Sequence, residues 1–479
     1  MGENIASNQL TFNRSIRIEG RSERLTAESG ALLLREADNR LGFTRDLAAK
    51  LIDYRKGPVH HSLGELVRTA VILPALGWRD QDDADFLRYD PALRAAISDD
   101  RSTKPLQENE NGELNGLPSQ PTLSRLHEGL SSEYNRMVMR SSLMEIAARR
   151  LKAQNGGHRQ RYVTLDIDSF PIEVDGHQPG AEYNGHYGAT IFHPLIATAA
   201  ELGDILDVKL RPGSAHTAEG GLEFIIEVVK SARENLCQVA AVRVDAGFPD
   251  EKTLSGLEAE NVPYVARIKN NPALDKMAEP YLTRPVGRPP EEGRAWTVEM
   301  SYQAASWSKK RRVVLVIVEN PGEIFLNHFW LVTSWTEAEK PAEELLPHYR
   351  QRGTAEGIFG ELMDAIAPAL SSNKRAKTHY RGNALPEERR LNLSYYTNEV
   401  RLILAALAYN LAHAVRSVVV AAVGTGMSIK RVRERFLRVA SRFTLHSRRI
   451  IVIVASDVHE RWNAVWQAMR RLSFAAALR

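Results

Sequence analysis

The chain has 479 residues, 43% hydrophobic and 25% charged, with a formal net charge of +4. That length exceeds one ordinary core and predicts two to four domains, and the composition is that of a folded protein rather than a disordered or fibrous one. A single cysteine, Cys237, excludes an internal disulfide and any cysteine-based zinc site, and its setting in NLCQVAAV predicts the start of a buried strand rather than a nucleophile.

No unbroken apolar run reaches the roughly eighteen residues needed to span a bilayer, and MGENIASNQLTFNRS lacks a basic-then-apolar signal pattern. The expectation is a cytoplasmic protein with no membrane partner. Charge is uneven: from Met427 onward twelve Lys plus Arg face three Asp plus Glu, which is +9 and leaves −5 for the rest. The segments IKRVRERFLRVASRF and MRRLSF alternate apolar positions and arginines at helical spacing. They predict helix, either a solvated subdomain or a surface that neutralises phosphates.

In chain order, residues 27–97 carry apolar positions three and four apart, as in GELVRTAVILPALGW, and predict packed helices. SDDRSTKPLQENENGELNGLPS reads as an exposed loop. QPTLSRLHEGL then predicts a helix starting at Pro121 and Thr122, with Ser124 and Arg125 in its first turn. Short polar and basic side chains there can meet a DNA backbone or groove, or simply belong to a capped helix of a bundle.

Past Gly157, YVTLDIDSF alternates Val163, Leu165 and Ile167 with Thr164, Asp166 and Asp168, a strand pattern. ATIFHPLIATA and DILDVKLRP read as two further strands of a meander. AEGGLEFIIEVVKSARENL is helical, QVAAVRVDAGF is a strand ending on Asp245, DEKTLSGLEAE is a helix and VPYVARIK a strand. Three strands, helix, strand, helix, strand make a mixed α/β layer. Residues 270–337 follow as a β-rich insertion, WTVEMSYQ, RRVVLVIVE and NHFWLVTSW, carrying Trp296, Trp307, Trp330 and Trp335.

After the insertion, HYRQRGTAEGIFGELMDA predicts a helix. At about 100° per residue, offsets of three and seven bring Tyr349, Arg352 and Glu356 within about a 60° sector. Alone, that face is an ordinary solvated Arg352–Glu356 ion pair. A very apolar segment, residues 391–420, predicts a buried helix.

Asp168 and Asp245 fall toward strand ends, 77 residues apart, and Glu356 follows 111 residues later. In an open α/β sheet, polar groups at the carboxyl ends of neighbouring strands meet in a crevice, and a helix beside them can add a third. Three converging carboxylates require cations, and all-oxygen donors suit Mg2+ or Mn2+ rather than zinc. Two such ions about 3.5–4 Å apart serve phosphoryl transfer. The chain offers no GxSxG, P-loop or GxGxxG to compete. Each acid alone is equally a turn residue or helix cap; their joint placement carries the reading.

The order of elements, with acids on the first strand, the fourth strand and the last helix, resembles the RNase H-like core of DDE transposases. Tyr349-xx-Arg352-xxx-Glu356 matches the Y-R-E part of the Y-R-E-K signature of bacterial insertion-sequence transposases. LDIDSF, GHQPGAEYNGHYGATIFHPL, RVDAGF, HYRQRGTAE, GWRDQDDADFLRYDPAL and QPTLSRLHE resemble the insertion-sequence 1380 family over residues 20–420. The resemblance implies an α/β RNase H-like core, residues 157–269 and 338–420, interrupted by the β-rich insertion 270–337. Around it stand a helical DNA-binding or dimerisation region, 1–156, and a basic helical region, 421–479.

It also implies that Asp168, Asp245 and Glu356 are the catalytic acids, holding two Mg2+ or Mn2+ ions. Asp166 shares the face of Asp168 and is its rival; Asp168 is preferred because it precedes a small hydroxyl residue, Ser169. Tyr349 and Arg352 would contact phosphates of the element end, and Ser124 and Arg125 would add DNA contacts. The implied activity is that of a transposase on double-stranded DNA. It would bind inverted-repeat ends as a homodimer in a synaptic complex, cleave there and join the 3′-hydroxyl to target DNA, by cut-and-paste, with hairpin ends as one route. The rivals are an RNase H-like nuclease that does not join and a non-catalytic DNA-binding derivative.

The signature lysine is missing: position 363 is Met363, on the same face by the 100° rule. His186 and His193 are expected to be structural, because hard-cation sites rarely use histidine. The tryptophans are expected in the sheet core, with stacking on a displaced base as the alternative.

Overall fold

The computed structural model describes residues 12–471 except positions 14, 17, 21, 110, 155–160, 288–289 and 372–386. A short strand, β1 (Arg24–Thr26), leads into helices α1 (Ala31–Leu41), α2 (Phe43–Lys50), α3 (Leu63–Leu76), α4 (Asp83–Phe86), α5 (Pro91–Ile97), α6 (Gln120–Gly129) and α7 (Glu133–Gln154). Local chemistry sets α3: Ser62 and Glu65 form a reciprocal capping box, and Gly77 closes the helix in the left-handed conformation at φ +91°. In α6, Pro121 sits in the first turn and Ser124 and Arg125 lie one turn further in, not at the helix start.

The alternating YVTLDIDS forms β2 (Tyr162–Ser169), buried on both faces because helices cover both sides. A small sheet follows, β3 (Ile172–Glu173), β4 (Glu182–Asn184) and β5 (Ala189–Phe192), in the order β3-β5-β4. β6 (Leu195–Ala199) and β7 (Ile205–Lys209) then return to the main sheet. The single strand expected over ATIFHPLIATA is thus two strands in two sheets. Pro194, which has no N–H for a ladder, stands at the break.

α8 (Gly221–Asn235), β8 (Gln238–Val244), α9 (Glu251–Ala259) and β9 (Tyr264–Ile268) complete the expected series, and α10 (Pro272–Ala278) precedes β10 (Arg294–Tyr302), β11 (Arg311–Glu319) and β12 (Asn327–Thr333). The eight-stranded sheet runs β10-β11-β12-β9-β8-β2-β6-β7, with β2, β8 and β9 parallel and the other pairings antiparallel. The inserted strands are therefore an extension of the main sheet: β12 pairs with β9, Trp330 opposite Ile268.

The carboxyl half contains α11 (Ala342–Arg350), α12 (Gly353–Glu361), α13 (Glu387–Val423), α14 (Ile429–Val432), β13 (Ser441–His446), β14 (Arg449–Ile453) and α15 (Ser456–Arg471). The tail is not helical throughout: β13 pairs with β14 on one side and with β1 on the other. SRFTLH alternates, and Phe443 packs inward on Ala92 and Leu106. By length and composition Leu391–Val423 is apolar enough to cross a membrane, although Arg401 and Arg416 interrupt its runs, but 83% of its most apolar window is buried inside the protein. It is the central core helix, and residues of α1, α3, α7, α12 and α15 share its hydrophobic cluster.

Candidate active site

In the parallel ladder of β2 and β8, Asp166 lies opposite Arg243 and Ile167 opposite Val244. One step further, Asp168 comes level with Asp245, which directly follows the last residue of β8. Period-two alternation puts Asp166, Asp168, Arg243 and Asp245 on one sheet face. Asp245 begins a tight turn in which its Oδ1 accepts the Gly247 N–H at 2.9 Å. Glycine is required there, since a Cβ would come within 2.6 Å of the Thr217 side chain.

The helix expected over residues 348–365 is broken in two, α11 ending at Arg350 and α12 starting at Gly353. Gln351 and Arg352 keep right-handed helical dihedrals (φ −61°, ψ −15° and φ −56°, ψ −28°), so Tyr349, Arg352 and Glu356 still come to one region. Ala355, Ile358, Phe359 and Leu362 are buried at helical spacing, and Phe359 stacks on Phe170, just past the end of β2, at 6.0 Å. Burial of side chains of this size stabilises by about 1.5–3 kcal/mol each, which fixes α12 against the strand end and leaves Glu356 on its open flank.

Arg352 joins the elements. Its Nη2 donates to Asp168 Oδ2 at 2.5 Å and its Nη1 to Glu356 Oε1 at 3.0 Å. Its guanidinium is held protonated, against the opposing cost of burial, by the charges of Asp168, Asp245 and Glu356 and by Tyr349. Burial drives the Asp168 pKa up to about 6; Arg352 opposes the rise, while the nearby charges of Asp245 and Glu356 add to it. Burial likewise raises the Tyr349 phenol, with Arg352 and Arg267 acting against it. All three expected acids, the arginine and the tyrosine thus share one electrostatic environment.

Asp166 is in a different situation. It is buried, 1% exposed, and takes a two-point ion pair from Arg243, Nε to Oδ1 at 2.6 Å and Nη2 to Oδ2 at 2.7 Å. Arg243 Nη1 also donates to the His348 carbonyl at 2.6 Å and to Gln351 Oε1 at 3.3 Å. This pair ties β2 and β8 to the joint between α11 and α12. Arg243 was not singled out from the sequence, although an arginine on an otherwise apolar strand, two residues before Asp245, signals a buried acidic partner.

Tyr187, also not singled out, lies close enough for Asp168 and Asp245 to raise its pKa, behind burial as the larger cause. Its ring meets His193 edge-on at 5.7 Å. His193 is 3% exposed, with Nδ1 on the Ala215 carbonyl at 2.9 Å, while His186 is exposed against the Tyr187 ring. Among the described residues, no three His, Cys, Asp or Glu side chains stand close enough together to hold an ion as positioned.

The other expected residues lie elsewhere or point inward. Ser124 is half-buried, and Arg125 is exposed on a cleft of about 380 Å³ with Arg55, Tyr54 and Arg389. Trp307 and Trp330 are in the sheet core, Trp296 packs against it, and Trp335 is half-buried between Lys340 and His348. Met363 packs on the helical core, in a widened turn of residues Leu362–Ile366 that departs from the 100° step.

The class that emerges is a mixed α/β protein with an arginine-bridged acidic site at the carboxyl edge of its parallel strands. The model of the transposase DDE domain group 1 family matches residues 8–475, and the chain belongs to that family. A search among curated proteins finds no match. Among solved structures, a piggyBac transposase synaptic complex with hairpin DNA is similar at 12% identity and a TM-score of 0.40, over 92% of this chain and 81% of that one.

Proposed function

We propose that the protein is a DNA transposase with an RNase H-like core. It binds the inverted-repeat ends of its own insertion sequence, of the insertion-sequence 1380 type, hydrolyses a phosphodiester at each end and joins the freed 3′-hydroxyl to target DNA. The observation that carries this reading is Arg352 bridging Asp168 and Glu356, from two separate elements, within reach of the charge of Asp245 from a third. Family membership supports it. In this reading Asp168, Asp245 and Glu356 are the catalytic acids, and the engagement of both Asp166 oxygens by Arg243 favours Asp168 over its neighbour.

The donor set fits a hard cation, since every acid here offers only carboxylate oxygens and would hold Mg2+ or Mn2+. When bound, a pair of such ions supplies activation of the attacking oxygen and stabilisation of the leaving one. The chain's own residues bind and orient. Arg352 has the planar fork that suits a phosphate as well as a carboxylate, and Tyr349 beside it offers a phenol to the DNA backbone. Pairing two ends calls for a homodimer, and cut-and-paste is the expected course, with hairpin ends as one route to it. The protein acts in the cytoplasm, with Ser124 and Arg125 of α6 as further DNA contacts.

The test is Asp245→Ala. It abolishes magnesium-dependent cleavage of DNA carrying the sequences that flank the coding region, while gel-shift binding of the same DNA stays intact. Cleavage at the wild-type rate would overturn the assignment, and a strand-transfer assay with pre-cut ends separates a transposase from a nuclease that only cuts.

A further inference from the structure

Arg352 is asked to do two things that compete for one guanidinium. In the proposed function it holds a DNA phosphate, yet in the structure the fork of its two terminal nitrogens is turned to Asp168 and Glu356. Both Asp168 oxygens are engaged: Oδ1 accepts the Ser169 N–H at 2.8 Å and Oδ2 accepts Arg352. A divalent cation seeking those same oxygens therefore meets a guanidinium already on them, and the positive charges repel in a half-buried site.

Arg243 shows what a committed arginine looks like here. Its Nε, Nη1 and Nη2 all find acceptors, and its side chain is 0% exposed. Arg352 is 13% exposed, its Nε is buried with no acceptor among the described residues, and one of its partners, the Glu356 side chain, is 62% exposed. It also sits at the joint between α11 and α12, outside both helices.

We infer that Arg352 is a hand-over residue: it bridges Asp168 and Glu356 until a DNA phosphate takes its guanidinium, and its departure frees the carboxylates for divalent cations. The inference rests on the proposed reading of the acids as metal ligands. Because linkage is reciprocal, DNA raises metal affinity by the same factor that metal raises DNA affinity. Premature metal loading without DNA is thereby suppressed.

The experiment is titration with Mn2+, free ion followed by electron paramagnetic resonance. It uses the full chain with and without a duplex oligonucleotide copied from the DNA flanking its coding region. Arg352→Gln is expected to bind Mn2+ about tenfold more tightly than wild type without DNA, the scale of one charge-assisted hydrogen bond. The duplex is expected to tighten Mn2+ binding by wild type and to leave Arg352→Gln unchanged. Arg352→Lys, which keeps the charge but not the fork, carries the test if the glutamine variant fails to fold; its affinity without DNA is expected above wild type.

Asp168-dependent Mn2+ binding that is equal or weaker in the Arg352 variants overturns the hand-over and leaves the metal reading standing. Mn2+ binding indifferent to Asp168→Asn overturns the metal reading, and the hand-over with it.

Discussion

Asp166 and Asp168 stand two residues apart on one strand, face the same way and each meets an arginine, yet the two pairs are built for opposite ends. The inner pair, Asp166–Arg243, is two-pointed and dry, with every guanidinium nitrogen engaged. The outer pair, Asp168–Arg352, lies where the strand runs out, is shared with Glu356 and sits among the charges of Asp245. A closed network is stiff and locates its neighbours; an open one keeps its charges available. The first pair holds the joint of α11 and α12 still, so the second can be rearranged without losing the fold.

The largest effect separating the two should come from Arg243→Gln. Removing one partner strands a buried carboxylate and is expected to cost about 3–5 kcal/mol in urea unfolding, whereas replacing both by Leu and Met is expected to be near neutral. A cost below about 1 kcal/mol would mean the inner pair is no more structural than the outer.

Asp168→Asn comes next and has the opposite sign. Asp168 rises from its ordinary 3.8 to about 6, so the folded state binds the proton more tightly than the unfolded one, and stability declines as pH rises between those values. The loss at neutral pH is on the order of 3 kcal/mol. The asparagine variant should therefore melt above wild type at pH 7 to 8, with the gap closing by about pH 4. A gap independent of pH would sever the effect from ionisation.

The smallest is Met363→Lys. The side chain packs on the helical core, so the new lysine is expected to cost about 1 kcal/mol and to leave the salt dependence of DNA binding unchanged. Arg352→Gln should instead reduce that slope by about one phosphate contact. A steeper slope in the lysine variant would put position 363 on the DNA path.

Much of this contrast could be read before the fold was known, and its central point could not. Alternation in YVTLDIDS placed both aspartates on one face, and for that reason could not choose between them. What tells their surroundings apart is Arg243, which takes both oxygens of Asp166 and is brought alongside by a strand register set 77 residues away. The insertion was legible as β-rich, but its union with the main sheet depends on β9 pairing with β12 across some sixty residues, which local pattern does not encode. At Met363 the 100° rule failed because it assumes an unbroken α-helix, and the turn there is wider. In the tail, arginines at helical spacing masked the two-residue alternation of SRFTLH.

The sheet formed by β1, β13 and β14 bears on how the protein is made. The Gly30 N–H bonds to the Leu437 carbonyl at 2.9 Å, and Ser29 meets Ser441 across 412 residues of chain. A ribosome delivers the first partner long before the second, so this corner cannot close until the β13 residues have emerged. A transcript cut short before that point yields a chain whose amino-terminal strand has no ladder to join. The amino-terminal strand thus waits, unpaired in its ladder, for residues made some four hundred positions later.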